Sequence, residues 1–277
     1  MMVAHRSLKQ IIKSWLNRTP RLFELVLRAI GKPTVEMRLL ISSLHHGDTV
    51  FDIGANMGQF VGLFSRLVGP TGSVHVFEPI PPTFLRLEKN IASQHLPGKI
   101  YLNQMALADH DDLMTMYVPN NHYTEGSLHK HLGNGAWIGD QGPELSAYSG
   151  IRVITLDHYC ENNNVGKIAM IKCDVEGAEL LVLKGGAKSL LRTLPMLMLE
   201  CYEPWTRDFG YKPQELFQFL TDLAGYKFWH IGKMGLQVYE PDHDPLPGSF
   251  PEYLNFLCAV PQVHGKQLGT LTKIIIN

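Results

Sequence analysis

The spacing of hydrophobic residues changes along the chain, and this change predicts strands that alternate with helices. Residues 49–53 form a β-branched and aromatic run that fits a buried strand and breaks at Gly54. Phe60, Phe64 and Leu67 then recur at helical spacing, which predicts a helix with one apolar face. This strand-then-helix order is the first sign of an α/β fold.

The same order continues towards the C-terminus. Six further core strands are predicted over residues 73–77, 100–102, 167–173, 196–199, 226–231 and 253–260, a short extra strand over 113–118, and helices over 79–94, 176–191 and 213–224. This pattern predicts a doubly wound, mostly parallel, seven-stranded α/β sheet with helices on both faces. Ligands of such sheets bind at the carboxyl ends of the strands, so candidate site residues are expected there.

The N-terminal segment differs from the rest of the chain. Residues 1–33 carry seven basic side chains against the single acid Glu24, and apolar residues recur at helical spacing. We predict an N-terminal helical extension over residues 1–45, followed by one main domain over 46–277. The basic amphipathic helix is expected to pack on that domain or on a second copy in a homodimer; peripheral contact with an anionic membrane surface is the less favoured alternative.

A second segment, residues 119–150, lacks clear periodicity and contains six glycines and three histidines. An insertion of this length without regular structure is usually functional or disordered. We expect a lid over the ligand site, with disorder in the absence of ligand as the alternative.

Composition narrows the class of protein. The 25 basic residues balance 26 acidic ones, so no overall field attracts nucleic acid, which we do not expect as a partner. The four cysteines lie far apart without a CxxC pair, which favours buried thiols in a reducing cytoplasm over disulfides or zinc. No apolar stretch approaches the roughly 20 residues of a membrane span, and no signal sequence is evident, so a cytoplasmic protein is expected.

A carboxylate and two glycines mark the end of the first strand. Asp52 is followed by Gly54, Asn56 and Gly58 at the entry to the predicted helix. Glycine lets a backbone approach a ligand closely. The GxGxxG pattern of dinucleotide sites is absent, and a pyrophosphate would be repelled by Asp52. The sulfonium and ammonium groups of S-adenosylmethionine favour a carboxylate, so this turn indicates that cofactor.

Two more acids follow the next strands. Glu78 ends the second strand 26 residues after Asp52, where doubly wound nucleotide sites place an acid that binds ribose hydroxyls. Asp109 follows the third strand and is expected to accept a hydrogen bond from the adenine amino group. Three acids at consecutive strand ends therefore predict a site for an adenosyl cofactor.

Several blocks resemble FkbM-type methyltransferases. They comprise residues 52–58, residues 77–79 with Leu87 and Asn90, residues 103–109, Thr155 to Asp157, and residues 171–185, of which Asp-Val-Glu-Gly-Ala-Glu is the most distinctive. The resemblance covers about residues 45–205 and implies a class I methyltransferase fold, S-adenosylmethionine as cofactor, and hydroxyls of sugars or secondary metabolites as acceptors. The expected cofactor-binding residues are Asp52, Gly54, Asn56, Gly58, Glu78, Pro79, Ala108, Asp109 and Asp174.

Carboxylates after the fourth and fifth strands are candidates for the transfer chemistry. Methyl transfer needs alignment of the acceptor, and a neutral alcohol also needs a group that removes its proton. Asp174 and Glu176 could serve as base, hold the ammonium group of the cofactor, or bind a divalent cation with Glu200. The metal is not favoured, since so few carboxylates do not specify one. A helix-capping role is the alternative for Glu176, and Glu179 is expected to face solvent.

Histidines are further candidates for the base because imidazole titrates near neutral pH. They are His122, His129, His131 and His230, with His129 as the candidate carried forward; unliganded surface histidines are the alternative. Tyr202 and Trp205 follow the fifth strand and could line an acceptor pocket or pack as ordinary aromatic residues.

Two other functions remain open at the level of sequence. The cofactor motifs do not depend on the acceptor atom, so an N-methyltransferase for a small amine or amide is the nearest alternative to an O-methyltransferase. A cofactor-binding scaffold without turnover is the second, because binding residues do not prove catalysis.

Overall fold

The computed structural model describes residues 34–119, 145–233, 235–245, 247 and 254–275. The described helices are α1 (Val35–Ser43), α2 (Val61–Val68), α3 (Pro81–Ala92), α4 (Leu156–Asn162), α5 (Glu179–Gly185), α6 (Ala187–Thr193), α7 (Glu203–Asp208), α8 (Pro213–Ala224) and α9 (Pro261–Ile275). The described strands are β1 (Thr49–Ile53), β2 (Ser73–Phe77), β3 (Lys99–Asn103), β4 (Ala106–Ala108), β5 (Asp112–Pro119), β6 (Leu145–Thr155), β7 (Met170–Cys173), β8 (Met196–Glu200), β9 (Lys227–Gly232), β10 (Gly235–Tyr239) and β11 (Asn255–Ala259).

Within these residues, eight strands form the main sheet in the order β10, β9, β11, β8, β7, β1, β2 and β3. The neighbouring pairs β3–β2, β2–β1, β1–β7 and β7–β8 are parallel, whereas β11 pairs antiparallel with β8 and β9. The predicted doubly wound, mostly parallel α/β sheet is confirmed. The sequence missed β10, which pairs antiparallel with β9 and adds an eighth strand at the edge. Strand order reverses between β1 and β7, which makes their carboxyl ends the expected ligand site.

Alternating residues of the central strands serve two cores, one on each face of the sheet. Val50 of β1 packs into a cluster with α1, α2, α3 and α9, while Phe51 and Ile53 pack into a cluster with α4, α5, α6 and α8. This follows from the period of two along a strand. All four cysteines are buried and free of disulfides, as predicted.

A second sheet lies beside the main one. Its strands run in the order β4, β6 and β5, with β6 parallel to β4 and antiparallel to β5. The predicted extra strand is thus real, but it belongs to this small sheet. Residues 145–150 of the predicted lid are the start of β6, because their backbone pairs with β5; residues 120–144 lie outside the described residues.

The predicted boundary at residue 45 does not separate the described parts of the chain. Val35, Leu39 and Leu40 of α1 are buried in the core of the main domain, where α1 contacts α9. Residues 1–33, which contain the predicted basic helix, lie outside the described residues. Among the described helices, none combines the length and apolar character that crossing a membrane requires.

The helix predicted over residues 176–191 is wrong at its start and in its middle. Glu176 and Gly177 have positive φ angles of 56° and 98°, so a loop precedes α5. A β carbon on Gly177 would lie 2.8 Å from the backbone of Trp205, which explains the need for glycine. The helical run is then divided at Gly186, where α6 begins close against Leu156.

Candidate active site

A cavity of about 320 Å³ opens at the carboxyl ends of β1, β2, β7 and β8. Its lining combines carboxylates, one lysine and apolar side chains. The lining residues are Ile53, Gly54, Ala55, Asn56, Gln59, Phe60, Glu78, Pro79, Ile80, Met105, Ala106, Leu107, Met116, Lys172, Asp174, Val175, Glu176, Ala178, Glu200 and Trp205. A space of this size is in the range of small-molecule sites.

The turn after β1 forms one wall of the cavity. Gly54 has φ 77° and Asn56 has φ 51°, so the backbone turns sharply in the left-handed region. The amides of Gly54 and Ala55 donate to the Phe77 carbonyl oxygen at 3.0 and 2.9 Å, which ties the turn to the end of β2. This places the turn and Glu78 on the same side of the cavity.

Glu78 is held by two backbone amides at the end of β2. Its Oε2 accepts from the Asn56 amide at 3.0 Å and its Oε1 from the Ile80 amide at 2.9 Å. Burial raises the pKa of Glu78 to about 7, and the two hydrogen bonds, which lower the pKa, offset only part of this shift. The carboxyl is oriented before any ligand arrives, lines the cavity, and retains lone pairs that can accept further hydrogen bonds.

Asp52 lies behind this wall and does not line the cavity. Its side chain is 1% exposed, and among the described residues neither carboxyl oxygen has a hydrogen-bond partner. Burial raises the pKa of Asp52 to about 6; the charge of Lys172 opposes this shift and that of Asp174 adds to it. A buried carboxyl without partners is unfavourable on its own, which is typical of a group kept for a ligand.

Lys172 on β7 is a site residue that the sequence analysis missed. Its Nζ donates to Asp174 Oδ2 at 2.8 Å and lies 5.2 Å from the centre of the Phe60 ring. Burial lowers the pKa of Lys172, but the carboxylates of Asp174 and Asp52 outweigh it, so the pKa is raised. Lys172 lies two residues before Asp174, and residues two apart along a strand lie on the same face. This spacing was the signal in the sequence that could have placed Lys172 beside the strand-end acid.

Asp174 and Glu200 are neighbouring carboxyl groups at the ends of β7 and β8, with carboxyl oxygens within 4.8 Å of each other. Burial alone would raise the pKa of Asp174, but the charge of Lys172 and the neighbouring Glu200 carboxyl outweigh it, and the pKa lies below its usual range. Burial and the charge of Asp174 raise the pKa of Glu200 well above its usual range. Both shifts favour the ionised form of Asp174 and the protonated form of Glu200.

Glu179 braces the loop that carries these acids. It is 1% exposed rather than solvent-facing as predicted, because its Oε1 accepts from the amides of Val175 at 2.9 Å and Gly177 at 3.3 Å. Burial raises the pKa of Glu179 to about 7. Tyr211 adds a second brace by donating its hydroxyl to the Gly177 carbonyl at 2.8 Å. The capping role considered for Glu176 does not apply, since this residue lies in the loop before α5 and lines the cavity.

The three carboxylates after β7 and β8 are close together. Ligand atoms of Asp174, Glu176 and Glu200 lie within 4.8 Å of one another, a spacing that a cation could bridge. Lys172 already supplies a positive charge at 2.8 Å from Asp174. The cluster is thus partly neutralised by the protein itself.

Apolar and aromatic residues complete the lining of the cavity. Ile80, whose amide donates to Glu78, lines it together with Met105 and Leu107. Phe60, whose ring faces the Lys172 ammonium, and Trp205 also line it. The Trp205 ring packs edge-on against Tyr202, with centroids 4.9 Å apart. Trp205 therefore lines the cavity, while Tyr202 supports it from behind.

Several predicted residues do not reach the cavity. Gly58 packs against α3 instead, where a β carbon would lie 2.7 Å from Leu87 Cδ1. The backbone of Ala108 is covered by Gly185, whose β carbon would lie 2.0 Å from the Ala108 carbonyl oxygen. Asp109 is exposed and hydrogen-bonded to His110 Nδ1 at 2.7 Å, so the predicted adenine contact is not supported by its position.

The histidine candidates do not contribute to the described lining. His230 is buried on β9 and is not part of the cavity wall. His122, His129 and His131 lie outside the described residues. Of the predicted residues, the fold brings Gly54, Asn56, Glu78, Pro79, Asp174, Glu176 and Glu200 into one cavity.

Known proteins give an independent comparison. FkbM from Streptomyces tacrolimicus, a 31-O-demethyl-FK506 methyltransferase, is 31% identical over 160 residues, which are 51% of this chain and 60% of that protein. The hexuronic acid methyltransferase AglP from Haloferax volcanii is 27% identical over 186 residues, which are 67% of this chain and 66% of that protein. The chain thus spans slightly less than two thirds of either relative's length.

A solved structure of the methyltransferase FkbM from Methylobacillus flagellatus KT is 15% identical, with a TM-score of 0.45 over 77% of this chain and 43% of that one. The model of the methyltransferase FkbM domain family matches residues 52–228, which is more than half of the chain and includes every described wall of the cavity. The chain therefore belongs to the FkbM methyltransferase family.

Proposed function

We propose that the protein is an S-adenosylmethionine-dependent O-methyltransferase that acts on a hydroxyl of a sugar, glycan or secondary metabolite. The family supports the reaction class. The names of the relatives support the acceptor class, because one acts on 31-O-demethyl-FK506 and the other on a hexuronic acid.

The observation that carries this proposal is that one cavity brings two groups of residues together. Glu78 and apolar residues from β4 form one group, and Asp174, Glu200 and Trp205 form the other. A nucleoside with two hydroxyls suits the first group, and an acceptor that must lose a proton suits the second. Both reactants would meet at the turn of Gly54, where the strand order reverses.

The described residues fit S-adenosylmethionine in three respects. Asp52 offers an unpartnered buried carboxyl behind the cavity wall, Glu78 is already oriented by two amides, and the Gly54 turn lines the cavity without a side chain. When bound, the cofactor would supply a methyl group activated by a positive sulfonium. Its positive charge would favour the ionised forms of these nearby carboxyl groups.

The cavity also contains groups that can align and deprotonate a hydroxyl. Asp174 and Glu176 line it as carboxylates, and Trp205 offers an aromatic surface suited to the face of a sugar ring. Closing such a cavity around the acceptor excludes water from the transfer.

A binding and turnover experiment tests this function. Calorimetry with S-adenosylhomocysteine should detect binding, and mass spectrometry should detect a methylated product when the protein is given the cofactor and hydroxylated glycans or polyols. Matched amino sugars and amides test the N-methyltransferase alternative. Binding without methyl transfer to any acceptor would favour the scaffold, and absence of binding would contradict the proposal as a whole.

The partner and location are part of the same proposal. The acceptor is a small molecule or glycan rather than nucleic acid, and four reduced, buried thiols suit a reducing compartment such as the cytoplasm. A lid formed from residues 120–144 and a homodimer or membrane contact through the N-terminal segment stay predictions.

A further inference from the structure

We propose that Lys172 is a positioning residue that holds Asp174 in place as an ionised base, while Glu200 keeps the proton that the two acids share. Asp174 then accepts the proton of the acceptor hydroxyl. This inference rests on the proposed O-methyl transfer and assigns its base.

The contact geometry links the three residues. Lys172 Nζ lies 2.8 Å from Asp174 Oδ2, and the side chains are 9% and 35% exposed, respectively. Both side chains line the cavity, and the lysine is the more enclosed of the two. Residues two apart at the end of β7 place both side chains on one side of the sheet. Glu200 ends the neighbouring strand β8, and its carboxyl oxygen lies within 4.8 Å of that of Asp174.

The charges around Asp174 require a proton on one of the acids. Within this part of the described structure, Lys172 is the cation that interacts with a group of five carboxyl groups. These are Asp52 on β1, Asp174 after β7, Glu176 in the following loop, Glu179 on α5 and Glu200 on β8. Buried like charges cannot all ionise. Direct contact with the ammonium favours the ionised form of Asp174, and Glu200 is stabilised as the neutral donor.

The step balances without another reagent. The O–H bond of the acceptor breaks and its proton moves to the Asp174 carboxylate. The oxygen lone pair forms the new bond to the methyl carbon, and the electron pair of the broken carbon–sulfur bond stays on sulfur. Lys172 keeps its three protons throughout, so it acts on the reaction only through Asp174.

The first test compares Lys172→Met with Lys172→Arg and with Lys184→Met, an exposed lysine on α5. Without the ammonium the pKa of Asp174 rises, so the acidic limb of the kcat profile should move up by about 1 pH unit or more. Lys172→Arg should restore much of the wild-type profile, and Lys184→Met should match the wild type. Calorimetry with S-adenosylhomocysteine checks that each variant keeps the folded cofactor site.

The second test separates the two acids. Asp174→Asn should lower kcat by about 100-fold or more, the range for loss of a general base. Glu200→Gln, which keeps a hydrogen-bond donor towards Asp174, should lower it by less than about tenfold by the same comparison. A larger loss in Glu200→Gln than in Asp174→Asn would reverse the assignment and overturn it.

A third readout does not need turnover. Infrared spectra of the apoprotein at neutral pH should lose one protonated carboxyl band in Glu200→Gln and gain one in Lys172→Met. Because Lys172 also lowers the pKa of Asp52, the gain is assigned to Asp174 by its absence when Asp174→Asn is combined with Lys172→Met. Unchanged bands together with an unmoved pH profile in Lys172→Met would overturn the role of Lys172. Because the bands are measured without cofactor or acceptor, a failure of the proposed methyl transfer is distinguishable from a failure of this protonation pattern.

Discussion

Gly54 lies against Asp174 so closely that a β carbon on Gly54 would fall 1.8 Å from the Asp174 carbonyl oxygen. This contact joins the turn after β1 to the loop after β7 at the floor of the cavity. The amide of Asp174 also donates to the Ile53 carbonyl at 3.1 Å, which holds the two strand ends in register. The turn that carries Gly54 and the loop that carries Asp174 are thus joined directly through their backbones.

Substitution of Gly54 by alanine should separate these loops and abolish cofactor binding. Gly210→Ala is a matched control, since Gly210 has φ 76° against 77° for Gly54 but has nothing within 4 Å of the added β carbon. Gly210→Ala should cost only the backbone strain of about 1–2 kcal/mol. Calorimetry with S-adenosylhomocysteine and thermal unfolding measure both effects. Equal behaviour of the two variants would mean that backbone strain alone matters.

Substitution of Glu78 by alanine should weaken cofactor binding by about 1–3 kcal/mol, the range for losing hydrogen bonds to a charged acceptor. The exposed Glu88 on α3 provides a control, and Glu88→Ala should leave the affinity unchanged. Isothermal titration calorimetry with S-adenosylhomocysteine measures the affinity of each variant. Wild-type affinity in Glu78→Ala would show that this acid is misassigned.

Buried acids should make the apoprotein less stable as pH rises towards neutrality. The pKa of Asp52 is raised from 3.8 to about 6 in the folded state, so its stabilising contribution is complete below about pH 4 and is lost as pH rises through 6. Glu78 and Glu179, with pKa values of about 7, act in the same direction. Denaturant unfolding at several pH values should therefore give a falling free energy between about pH 4 and 7.

Replacement of Asp52 by asparagine should flatten this dependence and stabilise the apoprotein at neutral pH by about 1–3 kcal/mol, since one pKa unit corresponds to about 1.4 kcal/mol. The same variant should bind S-adenosylmethionine more weakly, because it lacks the negative charge. Asp242→Asn, at an exposed position, serves as the control. Lower stability of Asp52→Asn at neutral pH would contradict the burial argument.

Removal of aromatic surface at Trp205 should affect the acceptor rather than the cofactor. Trp205→Ala should raise KM for a glycan acceptor several-fold, in line with about 0.5–1.5 kcal/mol for aromatic contacts. Affinity for S-adenosylhomocysteine should stay at the wild-type value. A loss of affinity for S-adenosylhomocysteine would instead mean that Trp205 contacts the cofactor.

Chelators should leave activity unchanged. Lys172 supplies a positive charge beside Asp174, which reduces the need for a cation in the cluster with Glu176 and Glu200. Initial rates with and without EDTA, and after addition of Mg²⁺ or Mn²⁺, test this directly. Loss of activity in EDTA and recovery with a metal would reveal a metal-dependent enzyme.

The sequence by itself determined the order of strands and helices and the position of most site residues along it. Hydrophobic period and strand-end chemistry are local properties, so the Gly54 turn, Glu78 and Asp174 could be found from neighbouring residues alone. The prediction that Glu179 faces solvent was wrong for the same reason. Its hydrogen-bond partners are amides of the preceding loop, part of which the sequence pattern predicts as helix.

Only the tertiary structure decided which strand-end residues face one another. Asp109 follows a strand as the other acids do, yet the strand before it, β4, belongs to the small sheet and leaves Asp109 on the surface. Lys172 looks like an ordinary strand residue until packing encloses it with acids from β1 and β8. Burial and charge pairing arise between segments distant in sequence, and these long-range effects set the protonation of the site.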